Sequence, residues 1–177
     1  MRTKQRAAII LEQALARNRA EAHRDARALA IEFARGVPSA RFDQMRAGIV
    51  PRPGERVYRQ LPLWIRVQQD GRWAGASLAD VIVTDQRLLC RMGSGRLTSL
   101  WWNGVVGLHI DLAAEHIVLD FGDGQPVSLS GPPVGAVAVA AIASVHGIEA
   151  LIRHPALAPL RAKCGGAARV QTWLQTT

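Results

Sequence analysis

From Thr3 to Arg35 the chain contains neither Pro nor Gly, and Ala, Leu, Glu, Gln and Arg dominate, so summed propensity predicts one long helix. Its apolar positions Ala8, Leu11, Leu15, Ala22, Ala26, Leu29 and Phe33 recur at helical spacing. The stripe is narrow, with alanines in the middle and Asn18 near its centre, which predicts a helix only weakly held to a core. Gly36-Val37-Pro38 stops it, and a short second helical stretch is expected from Ala40 to Ala47. Gly48-Ile49-Val50-Pro51-Arg52-Pro53-Gly54 then reads as a rigid linker, because prolines fix the backbone and remove donors. The domain boundary is placed there, giving a helical arm over residues 1–50 and a folded body over 54–160.

Beyond the linker the period changes from helical to strand-like. Val57 to Gln69 predicts a strand in which Pro62 demands an edge or a bulge, followed by a turn at Gln69-Asp70-Gly71. Val81-Ile82-Val83 runs through Thr84-Asp85-Gln86 into Arg87-Leu88-Leu89-Cys90, either two short strands about a tight turn or one bent strand. A turn at Arg91 to Gly95 precedes a strand from Leu97 to Trp102. Val106, Leu108, Ile110 and Leu112 then alternate with Gly107, His109 and Asp111, the period of a half-buried strand. Ile117, Leu119 and Phe121 alternate likewise, and Gly122-Asp123-Gly124 is a hairpin turn that returns through Val127 and Leu129. Pro132 and Pro133 open a helix that the pattern carries to about Arg153. The fold class is α+β: a small closed antiparallel barrel or sandwich of meandering strands, one open end stoppered by a C-terminal helix, with a long helix in front. Residues 161–177 read as a flexible tail.

Composition narrows the function classes. With 49% hydrophobic and 20% charged residues over 177 positions, the chain is long enough for one good core. The longest apolar run, Val134 to Val145, falls short of the ~20 residues that cross a bilayer. The opening residues do not resemble a secretory signal, since Glu12 breaks the apolar patch of Ala7 to Leu11. Cys90 and Cys164 lie far apart without a metal-knuckle spacing and read as reduced thiols. The expected location is therefore the cytoplasm. Charge is uneven: residues 1–60 carry 13 Arg or Lys against 6 Asp or Glu, and the remainder is nearly neutral. A basic front of this kind attracts polyanions through a screened field.

The segments Gly54-Glu55-Arg56-Val57, Val81-Ile82-Val83-Thr84-Asp85-Gln86-Arg87-Leu88-Leu89, and Leu100-Trp101-Trp102 ahead of Val105-Val106-Gly107-Leu108 resemble bacterial PH-like and GRAM-like domains. The resemblance spans residues 54–153 and agrees in order and spacing with the barrel read from the pattern. Thr84 and Asp85 are suited to bond the turn amides, with Arg87 leaving the turn and Leu88 or Leu89 returning to the core. The resemblance implies a binding or scaffolding module with no catalytic residues to carry over. It departs at the first hairpin, where only Arg66 and Arg72 stand in place of a dense basic cluster, which argues against inositol-lipid recognition.

Chemistry-bearing spacings are sparse. The five histidines include no HxxxH or HExxH pattern, so no metal is expected. His109, Asp111 and His116 are able to meet across a strand pair as an acid–base cluster, although alternation makes them ordinary outward residues. Ser128-Leu129-Ser130-Gly131 lacks the glycine spacing of a nucleophile turn and reads as a helix start. No glycine pattern cradles a phosphate, so no cofactor is expected and an enzyme is the least favoured class. The candidate contact residues are Arg17, Arg24, Arg27 and Arg35 on the helix, and Trp101 and Trp102. The arginines suit phosphate, but Glu12, Glu21, Asp25 and Glu32 partly neutralise them. One of the paired tryptophans should enter the core and the other face solvent or the helix, an exposed one being a good partner anchor. The N-terminal helix is the expected cover. The reading that follows is a non-enzymatic module that binds another protein. Peripheral attachment to an anionic membrane at the inner face, or nucleic-acid association through the basic helix, stand as alternatives.

Overall fold

The computed structural model describes residues 2–38, 42–122 and 124–162. Helix α1 runs over Arg2–Arg35. A single-turn helix, α2 (Gln44–Ala47), has Asp43 as its N-cap and Gly48 in the left-handed region at its C-terminus. It begins later than the expected Ala40, and residues 39–41 lie outside the described residues. Eight strands follow: β1 (Val57–Gln69), β2 (Arg72–Trp73), β3 (Ser77–Thr84), β4 (Arg87–Met92), β5 (Leu97–Trp101), β6 (Gly107–Asp111), β7 (His116–Asp120) and β8 (Val127–Ser130). Helices α3 (Val134–His146), α4 (Ala150–Arg153) and α5 (Ala158–Ala162) complete the described chain. The tail expected from 161 onward lies mostly outside the described residues, as do Cys164 and Asp123.

The strand boundaries largely follow from local chemistry. β1 takes the span that its alternation predicted, and Asp70 and Gly71 turn it with positive φ angles of 50° and 74°. Along β1 the odd positions Leu61, Leu63 and Ile65 are buried, whereas Gln60, Pro62, Trp64 and Arg66 are exposed. β8 pairs with β1 only from Trp64 to Val67, so Pro62 lies where β1 has a neighbour on one side alone, consistent with its missing donor. The helix after Pro133 stops at His146, short of Arg153, because Gly147 turns the chain out at φ 87° before α4 begins.

All long pairings are antiparallel, in the order β5-β4-β3-β1-β8-β7-β6, with β2 attached to the far end of β1. The expectation of a closed sheet is corrected here: the sheet curls into a sandwich-like shape but stays open, ending on β5 and β6. Between those two edges the chain passes through a 3-10 turn at Trp102–Gly104 instead of pairing. The concave side is filled by α3, whose residues Val134 to Ala143 are all buried, and they join Leu63, Ile65, Val81, Leu88, Ile117, Leu119 and Leu129 in one core.

Helix α1 divides into two halves. Ala26, Leu29 and Phe33 are buried in that core, so the second half is firmly packed, contrary to the weak attachment expected from its stripe. Small residues permit the close approach: Ala26 Cβ would lie 3.3 Å from a Cβ placed on Gly135 of α3. A register irregularity between Val57 and Arg59 turns both Tyr58 and Arg59 toward the helix. Tyr58 stacks on Phe33 with ring centroids 4.2 Å apart. Burial raises the Tyr58 hydroxyl above its ordinary pKa, an effect that outweighs the nearby Arg56. Arg59 Nε donates to Asp25 at 2.7 Å, and its terminal nitrogens donate to the buried Glu32 at 2.8 and 2.9 Å. The first half, residues 6–19, is exposed throughout.

Candidate interaction surfaces

The motif residues converge on one buried network rather than on a ligand site. Glu55 has no exposed side-chain surface, and its carboxylate receives Arg87 Nε at 2.8 Å and Arg87 Nη2 at 2.9 Å. The amide of Arg52 and the hydroxyl of Thr84 donate to the same carboxylate at 2.8 and 2.9 Å. Burial pushes the Glu55 carboxyl up, but these donors together outweigh it and hold the group below its ordinary value. Thr84 Oγ1 accepts the turn amides of Gln86 and Arg87 at 3.1 and 2.9 Å, as its place in the turn predicted. Asp85 behaves differently from the expectation: its carboxylate accepts the amide of Arg56, just ahead of β1, at 3.0 Å.

The paired tryptophans are absorbed by the same region. Trp102 is 3% exposed and its indole donates to the Thr84 carbonyl at 3.0 Å. Trp101 is half-buried between two guanidinium groups, Arg52 at 4.2 Å and Arg87 at 4.5 Å from the ring. Its cover is therefore the linker and β4, in place of the expected N-terminal helix. As alternation predicted, Trp102 enters the core beside Leu88 and Leu100 while Trp101 faces the other way, although Trp102 already begins the 3-10 turn.

The helix arginines form a line and not a cluster. By helical spacing Arg17, Arg24 and Arg35 share one outer line with Arg6, and all four are exposed. Arg24 lies 3.8 Å from Glu21. Arg27 turns to the body, where its guanidinium donates to the Leu160 carbonyl at 3.2 Å, which removes it from any shared anion site. Arg19 pairs with Glu115 in the β6–β7 turn.

Asp111 and His116 are opposed across β6 and β7, but His109 is opposite Val118. Asp111 spends one oxygen on the amides of Ala113 and Ala114, both at 3.0 Å, which caps the turn. His116 Nε2 instead lies 2.8 Å from Ser128 Oγ, and Ser128 is buried. Among the described residues no group of three or more His, Cys, Asp or Glu is placed to hold a metal ion. Burial pushes the Cys90 thiol up to about 12.

A surface that the sequence reading missed lies on the convex side of β1 and β3. Trp64 and Leu78 are directly opposed across the two strands and are 49% and 51% exposed. Trp73 is paired opposite Gln68 on the same side, and Leu97 adds a further exposed apolar group on β5. Higher on this face, Ile82, Leu89 and Val57 are covered by Ala47 of α2 and Ile49 of the linker, with Arg91 bonded to the Ala47 and Gly48 carbonyls. The linker thus covers half of an apolar face and leaves the Trp64 half open. A signal was present in the sequence: Trp64 holds an even-numbered, polar-phase position in β1. No helix among the described residues is long and apolar enough to cross a membrane. No protein-family model matches the chain, and it has no significant similarity to any curated protein.

Proposed function

We propose that this chain is a non-enzymatic, PH-like binding module that docks another protein, acting in the cytoplasm. The curved antiparallel sheet stoppered by α3 supports the resemblance over residues 54–153. The observation that carries the function is the open apolar strip of Trp64, Leu78 and Trp73 on a sheet face whose other half, at Val57, Ile82 and Leu89, the chain itself covers. Large half-exposed aromatics on a rigid sheet suit anchoring of a partner, because they offer apolar area without conformational loss. Arg66 on the same face and Arg72 beside it favour a partner that brings acidic groups around an apolar anchor.

The test is affinity capture from source-cell lysate with the full chain and with Trp64→Ser/Leu78→Ser, read by mass spectrometry. Because both side chains are half-exposed, the variant keeps its melting profile. A protein retained by the parent chain and lost by the variant supports the proposal. Identical retention by both, or none by either, overturns it.

A further inference from the structure

Folding segregates the charges of α1. Asp25 and Glu32 turn to the body, where Arg59 takes both at 2.7 and 2.8 Å. Arg19 is spent on Glu115, and Arg27 on the Leu160 carbonyl. Over residues 20–35, where the helix packs, the only exposed positions are Glu21, Arg24, Ala28 and Arg35. At the helical turn angle these four fall in a strip about 60° wide, on the side away from the body. The strip continues along the first half of the helix through Arg6, Ile10 and Arg17, all exposed. Arg6, Arg17, Arg24 and Arg35 thus stand within about 20° of one another round the helix, on a line about 44 Å long. Among the described residues only Arg24 of these four has a carboxylate within ion-pair distance, Glu21 at 3.8 Å.

We infer that this arginine line rests on the headgroups of an anionic lipid bilayer, with α1 parallel to the membrane and the body on its far side. The shape of the strip selects the occupant. A plane touches a cylinder along one line, whereas a duplex groove takes a helix by both flanks. Here one flank, Ala20, Arg27 and Ile31, is already partly covered, and the other carries Glu21. A single strand needs aromatic platforms, and the one aromatic residue of α1, Phe33, is buried. A second copy sets arginines against arginines. The arginines follow one another at about 10 to 17 Å along the axis, farther apart than the ~8 Å screening length, so each needs an anion of its own. Acidic lipids diffuse in the membrane plane and supply one to each, as they do for polybasic surfaces. The line lies on α1 and apart from the Trp64 strip, so the inference goes beyond the protein-docking reading.

Vesicle flotation of the full chain tests the inference, using phosphatidylcholine vesicles with and without phosphatidylglycerol. The chain is expected to float only with phosphatidylglycerol and to be released by salt. Arg6→Gln/Arg17→Gln/Arg35→Gln weakens partitioning by about 125-fold at low salt, at about fivefold for each cation near the surface. Its melt is unchanged, the three side chains being exposed. Glu21→Gln removes the one carboxylate of the strip and strengthens partitioning by about fivefold. Arg66→Gln/Arg72→Gln, two exposed arginines of the body, leaves it unchanged. Trp64→Ser/Leu78→Ser still floats, so this inference and the protein-docking reading fail separately. Equal flotation on both vesicle types, or none on either, overturns the inference. So does an equal loss per charge in the Arg66/Arg72 variant, which assigns the binding to net charge alone, or salt-sensitive binding to duplex DNA without flotation.

Discussion

Replacing Glu55 by Gln preserves volume and removes one charge from the most enclosed ion pair in the described chain. The Glu55 side chain is 0% exposed and that of Arg87 is 11% exposed, so bulk water screens neither. Each carboxylate oxygen faces donors: Oε1 receives Arg87 Nε and Thr84 Oγ1, and Oε2 receives Arg87 Nη2 and the Arg52 amide. An amide nitrogen at the Oε2 position meets two donors it cannot accept, and one at the Oε1 position still meets Arg87 Nε, while the Thr84 hydroxyl turns its proton to the Arg87 carbonyl 2.9 Å away. Removing one member of a buried pair costs about 3 to 5 kcal/mol. In a chain of this length each kcal/mol lowers the melting temperature by about 2 to 4 °C, so Glu55→Gln should melt roughly 10 °C lower. The double variant Glu55→Leu/Arg87→Met removes both charges and should recover most of that loss. Thermal and urea unfolding followed by circular dichroism give both numbers. A Glu55→Gln melt within about 2 °C of the parent, or a double variant whose loss equals the sum of the singles, refutes the reasoning. The pH dependence has a defined sign. A carboxyl held below its ordinary value of 4.5 contributes stability that is fully present above 4.5 and fades as pH falls through the lowered value. Glu55→Gln should therefore flatten the acid limb of the stability profile and leave its neutral plateau lower.

Two further outcomes follow from the division of α1 and from the core. Leu29→Ala, at a fully buried position, should cost about 2 to 5 kcal/mol, whereas Leu11→Ala should stay within about 0.5 kcal/mol. Equal losses in urea unfolding would contradict the claim that the helix is held only in its second half. With its thiol pushed up to about 12, Cys90 should resist Ellman's reagent at pH 8 in a Cys164→Ser chain and react once urea unfolds it. Rapid reaction of the folded chain would show that the strand opens locally.

What the sequence determined by itself was local. Period-two alternation set the span of β1, Asp70-Gly71 set its turn, and Thr84 set the β3–β4 turn, because each depends on residues within a few positions of one another. The same alternation placed Leu119 and Leu129 inside. What the tertiary structure decided was which distant segments meet. The stripe of α1 reads alike at Leu11 and Leu29, yet only Leu29 finds a partner, since Gly135 brings α3 close there and nothing described lies beside Leu11. Glu55, Thr84 and Arg87 were visible as pieces of separate motifs, but their union depends on the pairing of β1 with β3, which sets Val57 opposite Thr84. Trp64 and Leu78 became an open strip because the linker reaches Ile82 and stops, an outcome set by where the chain lies in space and by no local period.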